Sequence, residues 1–334
     1  MLWGEDEFAS QALRVASPRM LRWGILGPGY IAGKALAPAL RACGHDLAVV
    51  GSRSLTRAQA FAANHGVRRA RGSYQEVVDA SDVDAIYVAL PNDLHEEWSI
   101  AALEAGKHVL CEKPLAMDGD SAGRMAAASA RTSKLLMEAV MHRFHPRTAA
   151  VLEMIRSGGV GAVRLIHCSF GFPMREANSY RARPEHGGGA LLDVGVYGVA
   201  TARWIAGGEP ETVRATQRRW ATGIDGTVSA VLAFPAGAQA TVVASFDVAR
   251  HQALTVVGTE ATLDVPRPFT AGADDAAMVV RDGETVGTWR ADPYERMVVA
   301  FAEAAAGGSV PLASAEDSVA TAVVLDWIRA AATG

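Results

Sequence analysis

Lysine is nearly missing from this 334-residue chain: Lys34, Lys107, Lys113 and Lys134 are the only ones, and every other cationic side chain is arginine or histidine. A lysine inside a motif is therefore not compositional background. Cysteine is scarce too. Cys43, Cys111 and Cys168 have no metal-type spacing and sit in apolar stretches, which excludes a disulfide framework and suits buried thiols in a reducing compartment. There is no basic excess: the formal net charge is -4 and the basic residues are scattered, so a nucleic-acid partner is not expected and a small-molecule ligand is. No apolar run approaches the roughly 20 residues that span a bilayer, so no membrane partner is expected. Met1 to Arg19 mix Glu5, Asp6 and Glu7 with short apolar runs and lack both a long apolar core and a twin-arginine start. That segment reads as an extension, or as the product of an upstream start codon ahead of Met20, and the protein as cytoplasmic.

Half of the residues are hydrophobic, enough at this length for two domains that each bury a core. From Leu21 short apolar runs (Leu21 to Leu26, Asp46 to Ser52, Ala85 to Leu90, His108 to Glu112, Leu135 to Val140) alternate with amphipathic segments (Thr56 to His65, Leu94 to Ala105, Asp120 to Arg131). That alternation predicts an α/β unit with a parallel sheet of Rossmann type over residues 20–141. Residues 142–313 change pattern. Helices are expected at Pro146 to Ser157 and Leu191 to Ala206, with a strand at Val163 to Phe170. Consecutive strand-like runs follow from Glu211 to Gly258, and these predict an α+β domain with a mostly antiparallel sheet. Of two closing helices, Tyr294 to Ala306 and Glu316 to Ala331, the second falls in residues 314–334 and is expected to pack back on the first domain.

Gly27-Pro28-Gly29-Tyr30-Ile31-Ala32 follows the first strand and opens a helix, where backbone N–H groups and the helix dipole can meet a pyrophosphate. Gly27, Gly29, Tyr30 and Ile31 are candidate cofactor contacts. The second strand ends at Ser52-Arg53, without the acidic residue that would accept the ribose hydroxyls of NAD. Ser52, Arg53 and Arg57 can instead hold a 2'-phosphate, so NADP(H) is the preferred cofactor and NAD(H) the alternative; Arg53 and Arg57 also fit a solvated helix start. Leu90, Asn92 and His95, after the fourth strand, complete the cofactor contacts with Glu112 and Lys113. His95 has a second reading as a structural residue at a helix start.

Lys113 falls at the C-terminal end of a strand, the edge where open parallel sheets bind ligands, and Pro114 restricts the next bond to a geometry that includes cis. Gly187-Gly188-Gly189 precede Asp193 and Tyr197, which lie one helical turn apart. Tyr197 can exchange the proton when hydride moves, given a cation such as Lys113 to lower its pKa. Asp193 orients either the substrate or Lys113. Arg181 reaches the substrate or the nicotinamide carboxamide, or is a loop arginine. His142 and His145 have no carboxylate or cysteine nearby, so no metal is expected.

These motifs resemble the Gfo/Idh/MocA oxidoreductase family. The resemblance rests on Gly27-Pro28-Gly29, Asp82 to Val88 with Pro91-Asn92-Asp93-Leu94-His95, Ala105 to Ala116 and Gly187 to Tyr197. Tyrosine at 197 and the stretch Glu138 to Pro146 are similar to its branch of sugar and dihydrodiol dehydrogenases and sugar-nucleotide ketoreductases. The resemblance implies Lys113 and Tyr197 as catalytic, Asp193 as substrate-orienting, and an open-faced second sheet making homodimer or homotetramer contacts. The expected activity is an NADP-dependent dehydrogenase of a sugar, polyol or vicinal diol. The alternatives are a keto-sugar-nucleotide reductase and a non-catalytic sensor of NADP or sugar.

Overall fold

The computed structural model describes residues 20–175, 179–308 and 314–333; the segment read above as an extension lies outside them. Six strands, β1 (Arg22–Leu26), β2 (Asp46–Gly51), β3 (Arg69–Arg71), β4 (Ala85–Val88), β5 (His108–Cys111) and β6 (Leu136–Glu138), form a parallel sheet in the order β3-β2-β1-β4-β5-β6. Its central strands are buried almost throughout, as expected of strands covered on both faces. Helices α1 (Ala37–Ala42), α2 (Leu55–His65), α3 (Gln75–Val78), α4 (His95–Glu104) and α5 (Gly119–Thr132) connect them. Ser54 caps α2 by accepting the Arg57 N–H, and Gly66 ends it in the left-handed conformation. The sequence reading passed over β3 and α3. Arg69-Ala70-Arg71 has no apolar run, and it becomes a strand only by adding to the edge of β2.

Two helices open differently from the expected continuous α-helix. Ala32–Leu36 is a π-turn ahead of α1, since Pro38 has no N–H to give to the Lys34 carbonyl. Leu191–Gly195 is a second π-turn, ahead of α7.

The second sheet has eight strands, β7 (Val163–Gly171), β8 (Thr212–Arg219), β9 (Asp225–Ala233), β10 (Gln239–Ser245), β11 (His251–Gly258), β12 (Thr262–Pro266), β13 (Ala277–Arg281) and β14 (Glu284–Trp289). Their order is β14-β13-β12-β11-β7-β10-β9-β8, antiparallel except where β7 meets β10. α6 (Pro146–Arg156) and α7 (Val196–Ala206) lie on one face. α7 sits so close that a side chain at Gly198 would press on Val242 and Cys168. The opposite face exposes Leu165, His167, Ser229 and Val231.

The chain then returns to the first sheet. α8 (Pro293–Ala305) sets the fully buried Phe301 against Trp23 of β1, ring centroids 4.9 Å apart, and α9 (Ala315–Ala331) packs on α5. Phe301→Ala empties a fully buried aromatic site. It is expected to lower the unfolding free energy by about 3–5 kcal/mol in a urea titration; a loss near zero would show that α8 does not support the first sheet.

Candidate active site

The order of the first sheet reverses between β1 and β4, and at such a switch point the loops leaving the two strands diverge into a crevice. The loop after β1 is Gly27-Pro28-Gly29. Gly27 has φ +92°, and a Cβ on it would lie 2.5 Å from the Ala89 carbonyl oxygen after β4. A side chain at Gly29 would meet only that oxygen, at 3.6 Å. Bare backbone at the switch point, with Tyr30 exposed and Ile31 half-buried beside it, fits a dinucleotide pyrophosphate. Leu90 is buried against Gly27. Ser52 is buried at the end of β2 and accepts the Ser54 N–H, while Arg53 and Arg57 are exposed at the start of α2.

Lys113 leaves β5 at the same edge, and its bond to Pro114 is cis. The Lys113 Nζ donates to Asp193 twice, to Oδ1 at 2.9 Å and to the main-chain oxygen at 2.8 Å. The other carboxylate oxygen, Oδ2, accepts from the Arg181 Nε at 2.9 Å. Asp193 therefore pairs with both Lys113 and Arg181. Burial pushes the Asp193 carboxyl up, but the charges of Lys113 and Arg181 overcome it and hold the group below its ordinary value. Burial alone would pull the Lys113 ammonium down; Asp193, with Tyr197 and Tyr180 behind it, raises it.

The Tyr197 ring centroid lies 5.4 Å from the Lys113 Nζ. Rings of His142, Phe170 and Phe269 surround it at 5.3, 5.5 and 5.6 Å, and its hydroxyl points at the Met141 Sδ, 3.9 Å away. Lys113 does lower the phenol's pKa, as the sequence suggests, but burial among these rings outweighs it, and the phenol is pushed up to about 12. It keeps its proton throughout the neutral range.

The other candidates divide. Asn92 is buried and donates to the Gly187 carbonyl at 2.9 Å, so it ties the loop after β4 to the glycine run. His95 is fully buried, with Nδ1 2.8 Å from the Pro114 oxygen and Nε2 2.9 Å from the Leu90 oxygen. Its ring joins the two loops, in keeping with the structural reading. Glu112 accepts the Tyr87 hydroxyl, and burial raises its pKa. Sequence reading missed Tyr180, Met141, Phe170 and Phe269. Tyr180 stands next to Arg181 and was within reach of inspection; Phe269 arrives from a loop more than 70 positions beyond Tyr197, and nothing in its own neighbourhood marks it.

Bare glycine backbone at the switch point, faced by a charged lysine and a protonated tyrosine, suits a nicotinamide-dependent oxidoreductase. Family comparison is more specific. Residues 21–140 match the oxidoreductase family with an NAD-binding Rossmann fold, and residues 148–264 match the GFO/IDH/MocA C-terminal domain. The chain belongs to the Gfo/Idh/MocA family. It is 36% identical to D-xylose 1-dehydrogenase (NADP(+)) 2 of Haloferax volcanii over 94% of this chain and 98% of the relative. It is 33% identical to trans-1,2-dihydrobenzene-1,2-diol dehydrogenase of Xenopus laevis over 73% and 75% of the two chains. The crystal structure of a 3-ketoreductase from Actinomadura kijaniata with NADP and TDP-benzene superposes with a TM-score of 0.87 at 32% identity, covering 93% of this chain and 98% of that one.

Asp193→Ala would leave two partly buried cations without their anion and is expected to cost up to about 3 kcal/mol of stability at pH 7, read by urea unfolding. The folded carboxyl lies below its unfolded value of 3.8. Its contribution is therefore complete above that value and disappears as pH falls through the folded one, so wild type and variant converge in strong acid. A constant difference down to the acid transition would contradict the ion-pair account.

Proposed function

We propose that this protein is an NADP-dependent dehydrogenase of a sugar, polyol or vicinal diol, with Tyr197 as the acid/base and Lys113 assisting. The observation that carries the reading is the Lys113 Nζ fixed at 2.9 Å by Asp193 and facing the Tyr197 ring beside the glycine crevice. The xylose and dihydrodiol dehydrogenases among its relatives support the substrate class. When bound, the nicotinamide supplies or accepts the hydride. Tyr197 Oη holds the proton, gives it to the carbonyl oxygen during reduction and takes it back during oxidation. Lys113, kept charged by Asp193, attracts negative charge developing on that oxygen. Arg181 steadies Asp193 and stands beside the substrate.

Reduction of a keto-sugar nucleotide is the second reading. A phenol that holds its proton until about 12 is placed as a donor, and the 3-ketoreductase superposes over nearly the whole chain. NADP is favoured because Ser52 ends β2 where a carboxylate would repel a 2'-phosphate, with exposed Arg53 and Arg57 beside it. We assign cofactor binding to residues 20–141, substrate binding and oligomer contacts to residues 142–313, and the terminal helix to residues 314–334. The open outer face of the second sheet, where Leu165 and Val231 are exposed, supports a homodimer or homotetramer, and three free thiols suit the cytoplasm.

The test couples NADP(H) absorbance to a panel of aldoses, polyols, vicinal diols and keto-sugar nucleotides. Lys113→Met and Tyr197→Phe should each lose roughly 100-fold or more in kcat while NADPH affinity stays within about threefold; wild-type turnover in either variant would reject the assignment. Arg53→Glu should shift the NADP-to-NAD preference in kcat/KM by at least about tenfold toward NAD, the loss of one charge-assisted phosphate contact. An unchanged ratio would remove Arg53 from the 2'-phosphate site.

A further inference from the structure

Glu138 ends β6, is buried, and takes no part in the chemistry proposed above. Its Oε1 accepts the N–H of Leu115 at 2.7 Å, two residues beyond Lys113, and the Ser318 hydroxyl of α9 donates to the same carboxyl. Removing a carboxyl from water is costly unless its oxygens are bonded. Here both donors come from elements distant in the chain, the turn that carries Lys113 and the terminal helix.

That helix grips the same stretch at two further points. Arg329 Nη2 donates to the Met117 oxygen at 2.6 Å, and Asp326 Oδ2 accepts the Gly119 N–H at 2.7 Å. Val323 fills the space a side chain at Gly119 would need. On its other flank α9 holds α7. Arg203 donates to the Asp317 carbonyl at 3.1 Å and to Thr321 Oγ1 at 2.6 Å, and the Trp204 Nε1 donates to Asp317 Oδ2 at 3.0 Å. Arg203 and Trp204 follow Tyr197 by under two helical turns. One continuous set of bonds thus runs from the Lys113 turn through Glu138 and α9 to the helix that bears Tyr197.

We propose that Glu138 is a positioning residue, which sets Lys113 against Tyr197 by locking the Lys113 to Leu115 turn onto α9. The inference rests on the roles given to Lys113 and Tyr197 above. Burial pushes the Glu138 carboxyl up to about 7; the bonds from Ser318 and Leu115 and the Lys113 charge oppose this, and Asp317 adds to it. A neutral glutamine therefore substitutes well: it keeps an acceptor for Leu115 and lets the Ser318 hydroxyl turn to bond it, whereas alanine removes both contacts.

The experiment compares full-length Glu138→Ala, Glu138→Gln and Ser318→Ala in turnover, NADPH affinity and hydrogen–deuterium exchange. Glu138→Ala should lose roughly 10- to 100-fold in kcat, the scale of a misplacement by about 1 Å, with NADPH affinity nearly unchanged and faster exchange over residues 115–119. Glu138→Gln should recover most of the activity, and Ser318→Ala should fall between the two. Full kcat in Glu138→Ala, or a loss that glutamine does not restore, overturns the proposal. Where Glu138→Ala does not fold, Ser318→Ala decides, and unchanged kcat and exchange in that variant overturn it. If the wild type turns over nothing in the panel, the oxidoreductase reading fails by itself and exchange alone judges Glu138. Exchange over residues 115–119 that is unaltered in Glu138→Ala rejects the positioning role, and faster exchange supports it.

Discussion

The Asp193 carboxylate, shared between Lys113 and Arg181, is the contact on which the proposed site depends. Lys113 hangs from the parallel sheet, whereas Asp193 and Arg181 belong to the segment that leads onto the second sheet. Three ionised groups are taken largely out of water there, at a desolvation cost that only close pairing offsets. Two oxygens divided between two cations at 2.9 Å each supply that pairing, and a further bond to the Asp193 main chain holds the lysine to one rotamer. The same pairing consumes part of the lysine's field. Less of it reaches Tyr197, and burial among three aromatic rings decides the state of the phenol.

Close backbone approach is the second constraint, and glycine meets it on both sides of the cleft. Gly27 lets the loop after β1 press on Ala89. At the other side Gly189, with φ +121°, leaves room for the Asp225 carboxylate, which accepts the Leu191 N–H at 2.7 Å and so fastens the start of the π-turn to β9. The π-turn widens the helix where Asp193 sits, a local departure of the kind often found at functional sites. Asp193 can then face Lys113 while Gly195 and Gly198 let the helix lie flat on β10 and β7.

The legibility of the sequence follows from the range of the forces involved. Strand-helix alternation is a local pattern, and it exposed the parallel sheet and the run of strands after it; β3 stayed hidden because Arg69-Ala70-Arg71 becomes a strand only through its neighbour. Lys113, Asp193 and Tyr197 stood out through rare lysine, a proline and a glycine run, all short-range marks. That Asp193 pairs with Lys113 depends on the approach of segments 80 positions apart, and only the folded chain shows it. His95 shows the reverse: its motif suggested the cofactor, and its two ring nitrogens are spent on the Pro114 and Leu90 carbonyls. The rings around Tyr197 left no trace, because Phe170 and Phe269 look like any core phenylalanine until the second sheet brings them together.

Those rings bear on the direction of proton flow. An exposed tyrosine beside an ammonium would ionise more readily than usual and serve as a base. Phe170, Phe269 and His142 take away the water that would solvate a phenolate, and the ammonium is already engaged by Asp193. The phenol thus remains a donor at neutral pH, suited to an alkoxide formed as hydride arrives at a carbonyl carbon. Running the proposed reaction toward oxidation then needs the alcohol's proton to pass to Tyr197 in step with hydride departure, or a prior loss of the phenol's proton driven by further positive charge. With the phenol protonated at neutral pH, the proposed roles favour passage of that proton in step with hydride departure.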